Sequence, residues 1–294
     1  MKFLSATRIF DIFTKIFSGV FIVEIVIPNN FKDDFELFDY VAEIQNRICL
    51  MTENKIKVYL LDADFLRNGI GIFLLACLNA LGVQNDKEVN VYCNFPSSVW
   101  DENRNLMNFF RIQNKMDVVN LIERNISKQI PIKATETVKD ILVSLLGEVY
   151  NNAVEHSESD YIIGNCYDDR DNSGRCCFFC YDAGIGIIES VRRYFTIDKD
   201  SSFREYEKSS KLLKWALKKG TTTKNPPRGV GMDWLLEFAR INFGYIRICN
   251  ENIVFEQNTN GKTTYKKLNN NFCGLFFEMH IMEDANAIYK LKGE

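Results

Sequence analysis

The chain has 294 residues, of which 46% are hydrophobic and 13% aromatic, so it can form two folded domains and global disorder is excluded. The formal net charge is -3 with mixed signs along the sequence, which argues against a nucleic-acid-binding protein with a basic face. The longest apolar run near the start, 17–28, is too short to span a bilayer and contains Glu24. The N-terminus also lacks a signal-peptide pattern. We therefore expect a cytoplasmic protein with neither nucleic-acid nor membrane partners.

The nine cysteines are an odd number and lie mostly in apolar runs, which favours buried thiols in a reducing compartment over a disulfide framework. Cys177 and Cys180 form a CxxC, but no second pair or nearby histidine completes a zinc set. Their run is typical of a strand, in which residues i and i+3 point to opposite faces. We expect core thiols here rather than a metal site.

The first half of the chain alternates between strand-like and helix-like patterns after a short amphipathic lead-in over residues 1–16. The predicted elements are strands over 20–27, 57–62 and 89–93, and helices over 35–51, 72–81, 106–112 and 116–122. Strands that alternate with helices predict a small α/β sandwich. The more polar stretch 123–133, with Pro131, places the domain boundary near residue 130, which divides the chain into 1–130 and 131–294.

This order of elements resembles a STAS domain, the fold of anti-sigma-factor antagonists. The resemblance rests on Leu60-Leu61-Asp62, the turn Gly69-Ile70-Gly71, the Leu-rich helix that follows and the next strand. STAS antagonists have a phosphorylatable serine at the turn before the helix, whereas this chain has Arg67-Asn68-Gly69, without a hydroxyl. The resemblance thus implies an interaction domain that lacks the phosphorylation switch. A generic α/β interaction or dimerisation domain is the alternative, and a homodimer is left open.

The strongest helix pattern in the second half runs from Thr135 to His156. At roughly 100° per residue, Glu148 and Asn152 lie one turn apart at the edge of its apolar stripe, whereas Asn151 points to the far side. Half-buried polar groups at such an edge need partners. A satisfied surface pair is the alternative to a functional role.

Two glycine motifs follow this helix. A strand over 176–181 ends at Asp182-Ala183-Gly184-Ile185-Gly186, where the backbone can approach a flat ligand while the carboxylate accepts a hydrogen bond. Downstream, Arg228-Gly229-Val230-Gly231 begins a helix whose exposed N–H groups suit phosphate. Each motif is weak alone, but with the helix of Glu148 and Asn152 their order and spacing are a strong signal for one site that binds a flat ligand carrying phosphate.

Residues 132–284 resemble the GHKL superfamily, which includes gyrase B, Hsp90-type chaperones, histidine kinases and MutL. Glu148-(x)3-Asn152-Ala153 resembles the N box, 182–186 the G1 box, 229–231 the G2 box, 216–222 the run before G2, and 270–281 the last strand of the sheet. The resemblance implies the Bergerat ATP-binding fold, in which helices pack on a mixed, mainly antiparallel sheet, with a lid over about 188–227. The expected fold class is α/β (α+β), with a STAS-like sandwich followed by a Bergerat-fold sandwich.

The resemblance also implies a role for each matching side chain. Asn152 would bind Mg²⁺, and Asp182 would bind the amino group of adenine. Glu148 would be the catalytic acidic residue, whose carboxylate orients and deprotonates water. His156, one turn beyond Asn152, would either assist or only pack.

The matching glycines would act through their backbone. At Gly184 and Gly186 the chain would pass close to the adenine, and at Gly229 and Gly231 it would cradle the phosphates. Thr222, Lys224 and Arg228 are further nucleotide-binding candidates. Lys224 and Arg228 would meet the γ-phosphate; the alternative is that these two charges of the lid are simply solvated.

The two histidines of the chain, His156 and His280, both lie within the predicted ATP domain, so we do not expect a self-phosphorylating sensor histidine kinase. A transducer domain like that of gyrase and MutL is not expected either, because few residues follow the predicted last strand. Three interpretations remain: a serine/threonine kinase of the anti-sigma type acting on a protein partner, a slow ATPase that gates a protein contact, and a non-hydrolysing ATP sensor. We favour a nucleotide-gated regulator that uses ATP and Mg²⁺ and has ATPase or kinase capability.

Overall fold

In a computed structural model, the part of the chain described is 13–17, 20–27, 34–51, 55–60, 76–78, 80–82, 84–86, 88–93, 110–123, 135–168, 175–197, 208–218 and 231–282. These residues form a mixed α/β protein with one sheet of four strands and one of five. Within these ranges no helix is long and apolar enough to cross a membrane.

The four-stranded sheet is formed by the N-terminal part of the chain, in the order β1-β2-β3-β4. Its strands are β1 (Phe13–Phe17), β2 (Val20–Ile27), β3 (Lys55–Leu60) and β4 (Glu88–Cys93). β1 is antiparallel to β2, whereas β2, β3 and β4 are parallel to one another. Helix α1 (Asp34–Leu50) connects β2 to β3, as a parallel pair requires. The predicted turn at 67–71 lies outside the described residues.

The five-stranded sheet has the order β5-β6-β7-β9-β8, and all neighbouring strands are antiparallel. Its strands are β5 (Phe110–Ile112), β6 (Ile162–Asp168), β7 (Arg175–Asp182), β8 (Tyr245–Gln257) and β9 (Thr263–Met282). The helices in this half are α2 (Lys115–Leu121), α3 (Glu136–His156), α4 (Gly186–Ile197), α5 (Ser209–Ala216) and α6 (Gly231–Ile241). The hydroxyl of Thr135 caps α3 by accepting a hydrogen bond from the Val138 amide, so the predicted helix is confirmed.

The inner face of the five-stranded sheet is covered by α2–α6. Their apolar side chains join Phe178 of β7 and Phe277 of β9 in one buried cluster, which includes Leu142 and Leu146 of α3 and Leu235 of α6. Successive residues of a strand point to opposite faces, so Phe276 and Glu278 lie on the outer face.

The outer face of the same sheet is covered by α1. Phe38 of α1 meets Phe276 edge-on, with ring centroids 4.9 Å apart. The surrounding cluster also contains Ile56 of β3 and Leu78. The two predicted domains therefore share a hydrophobic core through α1.

Two predicted features differ from the structure. Phe110–Ile112, predicted as the end of a helix, is a strand because it pairs with residues 162–164 of β6. Both β5 and α2 precede the predicted boundary at residue 130, yet they belong with the five-stranded sheet. The pairing of β5 with β6 could not be predicted, because sequence patterns report only local periodicity and these two strands are far apart in the chain.

Candidate functional site

A cavity of about 320 Å³ lies among α3, α4, α5, the end of β7 and the start of α6. This volume is within the range of small-molecule sites. One part of its wall is apolar and includes Val149, Ile187, Ile248, Leu275 and Phe277. The polar part brings together residues of two predicted motifs, namely Glu148, Asn152, Asp182 and Gly186.

Helix α3 contributes Glu148, Asn151, Asn152 and His156 to the wall. Glu148 and Asn152 are exposed, and Asn151 is half-buried. The helical spacing predicted that Asn152 lies at the edge of the apolar stripe and that Asn151 points to the far side. The cavity covers a wider arc of α3 than this stripe, so both amides reach it. The structure leaves both as candidates for a ligand contact.

Asp182 is the last residue of β7 and only 2% exposed, although its side chain lines the cavity. One carboxylate oxygen accepts a hydrogen bond from the Gly184 amide at 3.1 Å. Burial raises the pKa of Asp182 to about 7, against the opposing effect of hydrogen bonds from the Gly184 and Leu275 amides. A buried carboxylate at a cavity wall is suited to a ligand N–H donor.

The two glycines after Asp182 are required by internal packing. A Cβ atom on Gly184 would lie 1.8 Å from the Ser157 carbonyl oxygen at the end of α3. Gly186 has φ +71°, and a Cβ there would lie 2.1 Å from the Asn250 amide nitrogen. Gly186 also lines the cavity, whereas the contact that excludes a side chain at Gly184 is with the protein itself.

Asn250 of β8 is a positioning residue that the sequence analysis missed. Its side-chain oxygen accepts from the Ile188 amide at 2.8 Å, and its side-chain nitrogen donates to the Gly274 carbonyl at 2.8 Å. The side chain therefore fixes the first turn of α4 against β9. No sequence signal singles it out, because β8 contains several other polar residues, including Asn252.

The third motif is described only at its end. Gly231 is the first residue of α6, and the next two residues, Met232 and Asp233, line the cavity. Gly229, Thr222, Lys224 and Arg228 lie outside the described residues. The motif's helix therefore starts at the cavity, while its loop is not described.

The described parts of the predicted lid are helices packed on the core. Ile188 and Val191 of α4 are buried, and Leu212 and Leu213 of α5 are buried as well. Trp215 of α5 stacks on Tyr194 of α4 with ring centroids 5.8 Å apart. Residues 198–207 and 219–227 of the predicted lid lie outside the described ranges.

Two residues that line the cavity, Lys115 and Trp215, lie outside the sequence motifs, whereas Lys218, also in the wall, belongs to the run 216–222. Lys115 belongs to α2 and forms an ion pair with Glu155 of α3. The described wall carries four carboxylates, on Glu148, Glu155, Asp182 and Asp233, and two lysines. An anionic ligand would therefore need a cation beside these carboxylates.

Among the residues described, no group of three or more His, Cys, Asp or Glu side chains is arranged to hold a metal ion. Cys177 and Cys180 are both buried in β7. A scan against protein-family models finds no match for the chain. A search of curated proteins finds no significantly similar one.

Proposed function

We propose that the cavity binds ATP together with Mg²⁺, and that the protein is a GHKL-type, nucleotide-gated regulator with ATPase or protein-kinase activity towards a partner. The observation that carries this proposal is the convergence of separate motifs on one cavity. Glu148 and Asn152 of α3 line it together with Asp182 at the end of β7, Gly186 at the start of α4, and the start of α6.

The buried carboxylate of Asp182 supports an adenine at the inner end of the cavity. Adenine presents an amino group that can donate to Asp182, and apolar side chains such as Ile248 and Phe277 suit its flat ring. Guanine would place a carbonyl oxygen against the same carboxylate. Because an unpaired buried acceptor is costly, the site should prefer adenine.

The outer part of the cavity supports a phosphate chain held through a cation. The exposed carboxylate of Glu148 and the nearby Asp233 would repel a bare triphosphate. Mg²⁺ commonly binds one or two protein groups together with substrate phosphates, so the Asn152 amide with the phosphates can hold it without a cluster of acidic residues. The N-terminus of α6, at Gly231, would add favourable backbone N–H groups.

The fold supports the same proposal at two places. Helices on one face of a five-stranded antiparallel sheet are compatible with the Bergerat fold. The parallel strands β2–β4 with the α1 crossover are compatible with a STAS-like interaction domain. A protein partner in the cytoplasm follows from these resemblances, as part of the proposal.

Calorimetric titration of the purified chain with ATP in the presence of Mg²⁺ tests the proposal. Wild-type protein should bind, while Asp182→Asn and Asn152→Ala should each lose at least about tenfold in affinity, since each removes a polar contact worth roughly 1.4 kcal/mol or more. Asp160→Asn and Asn260→Ala, at exposed positions, are the matched controls. Absence of ATP affinity in folded wild-type protein, or unchanged affinity in Asp182→Asn, would overturn it.

A further inference from the structure

Two cysteines differ from the other described cysteine side chains in their exposure. Cys49 is exposed near the end of α1, and Cys273 is half-buried on β9. The remaining thiols of described burial are all buried, on Cys77, Cys176, Cys177, Cys180 and Cys249. Reagents in solution can therefore reach Cys49 far more easily than the core thiols.

Cys49 and Cys273 also contact each other, although they are far apart in sequence. Their thiols share a side-chain hydrogen bond. The backbone around Cys273 is held on α1 by Gln45, whose Oε1 accepts from the Cys273 amide at 3.0 Å and whose Nε2 donates to the Cys273 carbonyl at 3.2 Å. Cys49 lies one helical turn beyond Gln45, on the same side of α1.

A third side chain of α1 fixes the same contact. Asn46 donates to the Asn271 carbonyl at 3.0 Å, and its side-chain oxygen lies 3.8 Å from the Cys273 sulfur. The relative position of the two cysteines is thus set by hydrogen bonds to backbone groups rather than by the thiols themselves.

We propose that Cys49 and Cys273 are a redox-sensitive thiol pair that closes to a disulfide between α1 and β9 when the protein meets a hydroperoxide. In the first step the Cys49 sulfur attacks a peroxide oxygen, so that an S–O bond forms, the O–O bond breaks and one water leaves. The Cys273 sulfur then attacks the Cys49 sulfur, the S–S bond forms, and the S–O bond breaks with loss of a second water. Two thiols are oxidised and one hydrogen peroxide is reduced to two waters.

The environment of the pair assigns the two roles. Exposure makes Cys49 the sulfur that meets the oxidant. The hydrogen bond to Cys49, together with burial, raises the pKa of the Cys273 thiol, so this thiol loses its proton only when its sulfur attacks Cys49, and the proton leaves with the oxygen as water. Access to the oxidant therefore makes Cys49 the first sulfur to react, and Cys273 supplies the second sulfur.

The disulfide would reach the layer directly behind the cavity. The Cys273 carbonyl accepts from the Tyr181 hydroxyl at 2.9 Å. Two residues further along β9, Leu275 lines the cavity and its amide bonds the Asp182 carboxylate. Closing the pair would join α1 covalently to this segment, which gives a route by which oxidation can alter the cavity.

Peptide mass spectrometry of the full chain without reduction tests the proposal. After treatment with stoichiometric hydrogen peroxide and alkylation of the remaining thiols, we expect a linked Cys49–Cys273 peptide that dithiothreitol removes. In Cys273→Ser, a dimedone adduct should appear on Cys49 in its place. The Cys180→Ala variant should retain the linked peptide.

Other outcomes would overturn the proposal. Recovery of Cys49 and Cys273 as separately alkylated peptides from peroxide-treated wild-type protein would do so. A disulfide from Cys49 to any other cysteine, or to Cys49 of a second copy, would count equally against it. Because the linked peptide is read in wild-type protein, a variant that fails to fold does not prevent the test.

Discussion

Tyr181 and Asp182 are consecutive residues at the end of β7 that face opposite sides of the five-stranded sheet. The Asp182 carboxylate lines the cavity. The Tyr181 hydroxyl, on the other side, donates to the Cys273 carbonyl at 2.9 Å and accepts from Gln45 Nε2 at 3.2 Å. The end of β7 therefore contacts the cavity on one face of the sheet and α1 on the other, through two neighbouring residues.

Tyr181→Phe should destabilise the protein by about 1 kcal/mol, because the Cys273 carbonyl and the Gln45 amide each lose a hydrogen bond while the ring remains. Urea unfolding followed by circular dichroism measures the loss. Tyr194→Phe is a matched control, since Tyr194 contributes ring contacts to Phe195 and Trp215. Equal stability of the Tyr181 variant and wild type would show that the hydroxyl does not hold α1 on the sheet.

The stability of the protein should fall as the pH rises from about 4 to about 7. Burial raises the pKa of Asp182 from 3.8 to about 7. Between these values the folded state retains a proton that the unfolded chain has lost, so each pH unit costs about 1.4 kcal/mol. From pH 5 to pH 7.5, wild-type protein should therefore lose about 3 kcal/mol more than Asp182→Asn. Parallel pH profiles from urea titrations of the two proteins would contradict this assignment.

Much of the fold was predictable where the pattern is local. The strand Val20–Ile27 is β-branched and ends before Pro28, and the helix over 136–156 has an apolar stripe and a threonine cap, so both were correctly predicted. The helix of α1 was also predicted from its spacing. Its position was not, because Phe38 packs on Phe276 of β9, which is far from it in the chain.

The candidate site was likewise predictable only where a local motif marks its residues. Glu148, Asn152, Asp182 and Gly186 were named from their motifs, and the structure brings them to one cavity. Lys115 was missed, because α2 reaches the wall through packing on α3 rather than through any motif. For Gly184 and Gly186 the sequence predicted close passage of the backbone to a ligand, whereas the structure shows that a side chain at these positions would meet Ser157 and Asn250.

Arg247 should be a sensitive charged residue outside the cavity. Its side chain is 8% exposed and contacts Glu278 at 3.2 Å, Glu256 at 3.1 Å and Asp34 of α1 at 2.9 Å. Arg247→Met keeps the apolar stem but leaves the buried Glu278 with one cationic partner fewer, so a loss of roughly 3 kcal/mol is expected. Unfolding free energies measured in urea provide the value.

The matched control for Arg247 is Arg240→Met on α6. Arg240 is half-exposed and pairs with Glu237 at 2.7 Å, so its removal should lower the stability far less than the removal of Arg247. Equal losses in the two variants would mean that the buried network contributes no more than a surface ion pair. The comparison also reports on α1, because the carboxylate of Asp34 is the contact that joins its first turn to Arg247.

Glu148→Gln should separate ATP binding from ATP turnover. Glu148 is exposed at the edge of the cavity, so its carboxylate can contact a water without contributing much to nucleotide affinity. We expect a Kd within about twofold of wild type and a fall of at least about 100-fold in phosphate release, since an amide cannot act as a general base. Glu136→Gln, exposed in the first turn of the same helix, is the control and should change neither quantity.

Phosphate release that is unchanged in Glu148→Gln would place the base elsewhere. Wild-type protein that binds ATP but neither releases phosphate nor transfers labelled phosphate to a co-purifying protein would instead establish a non-hydrolysing ATP sensor.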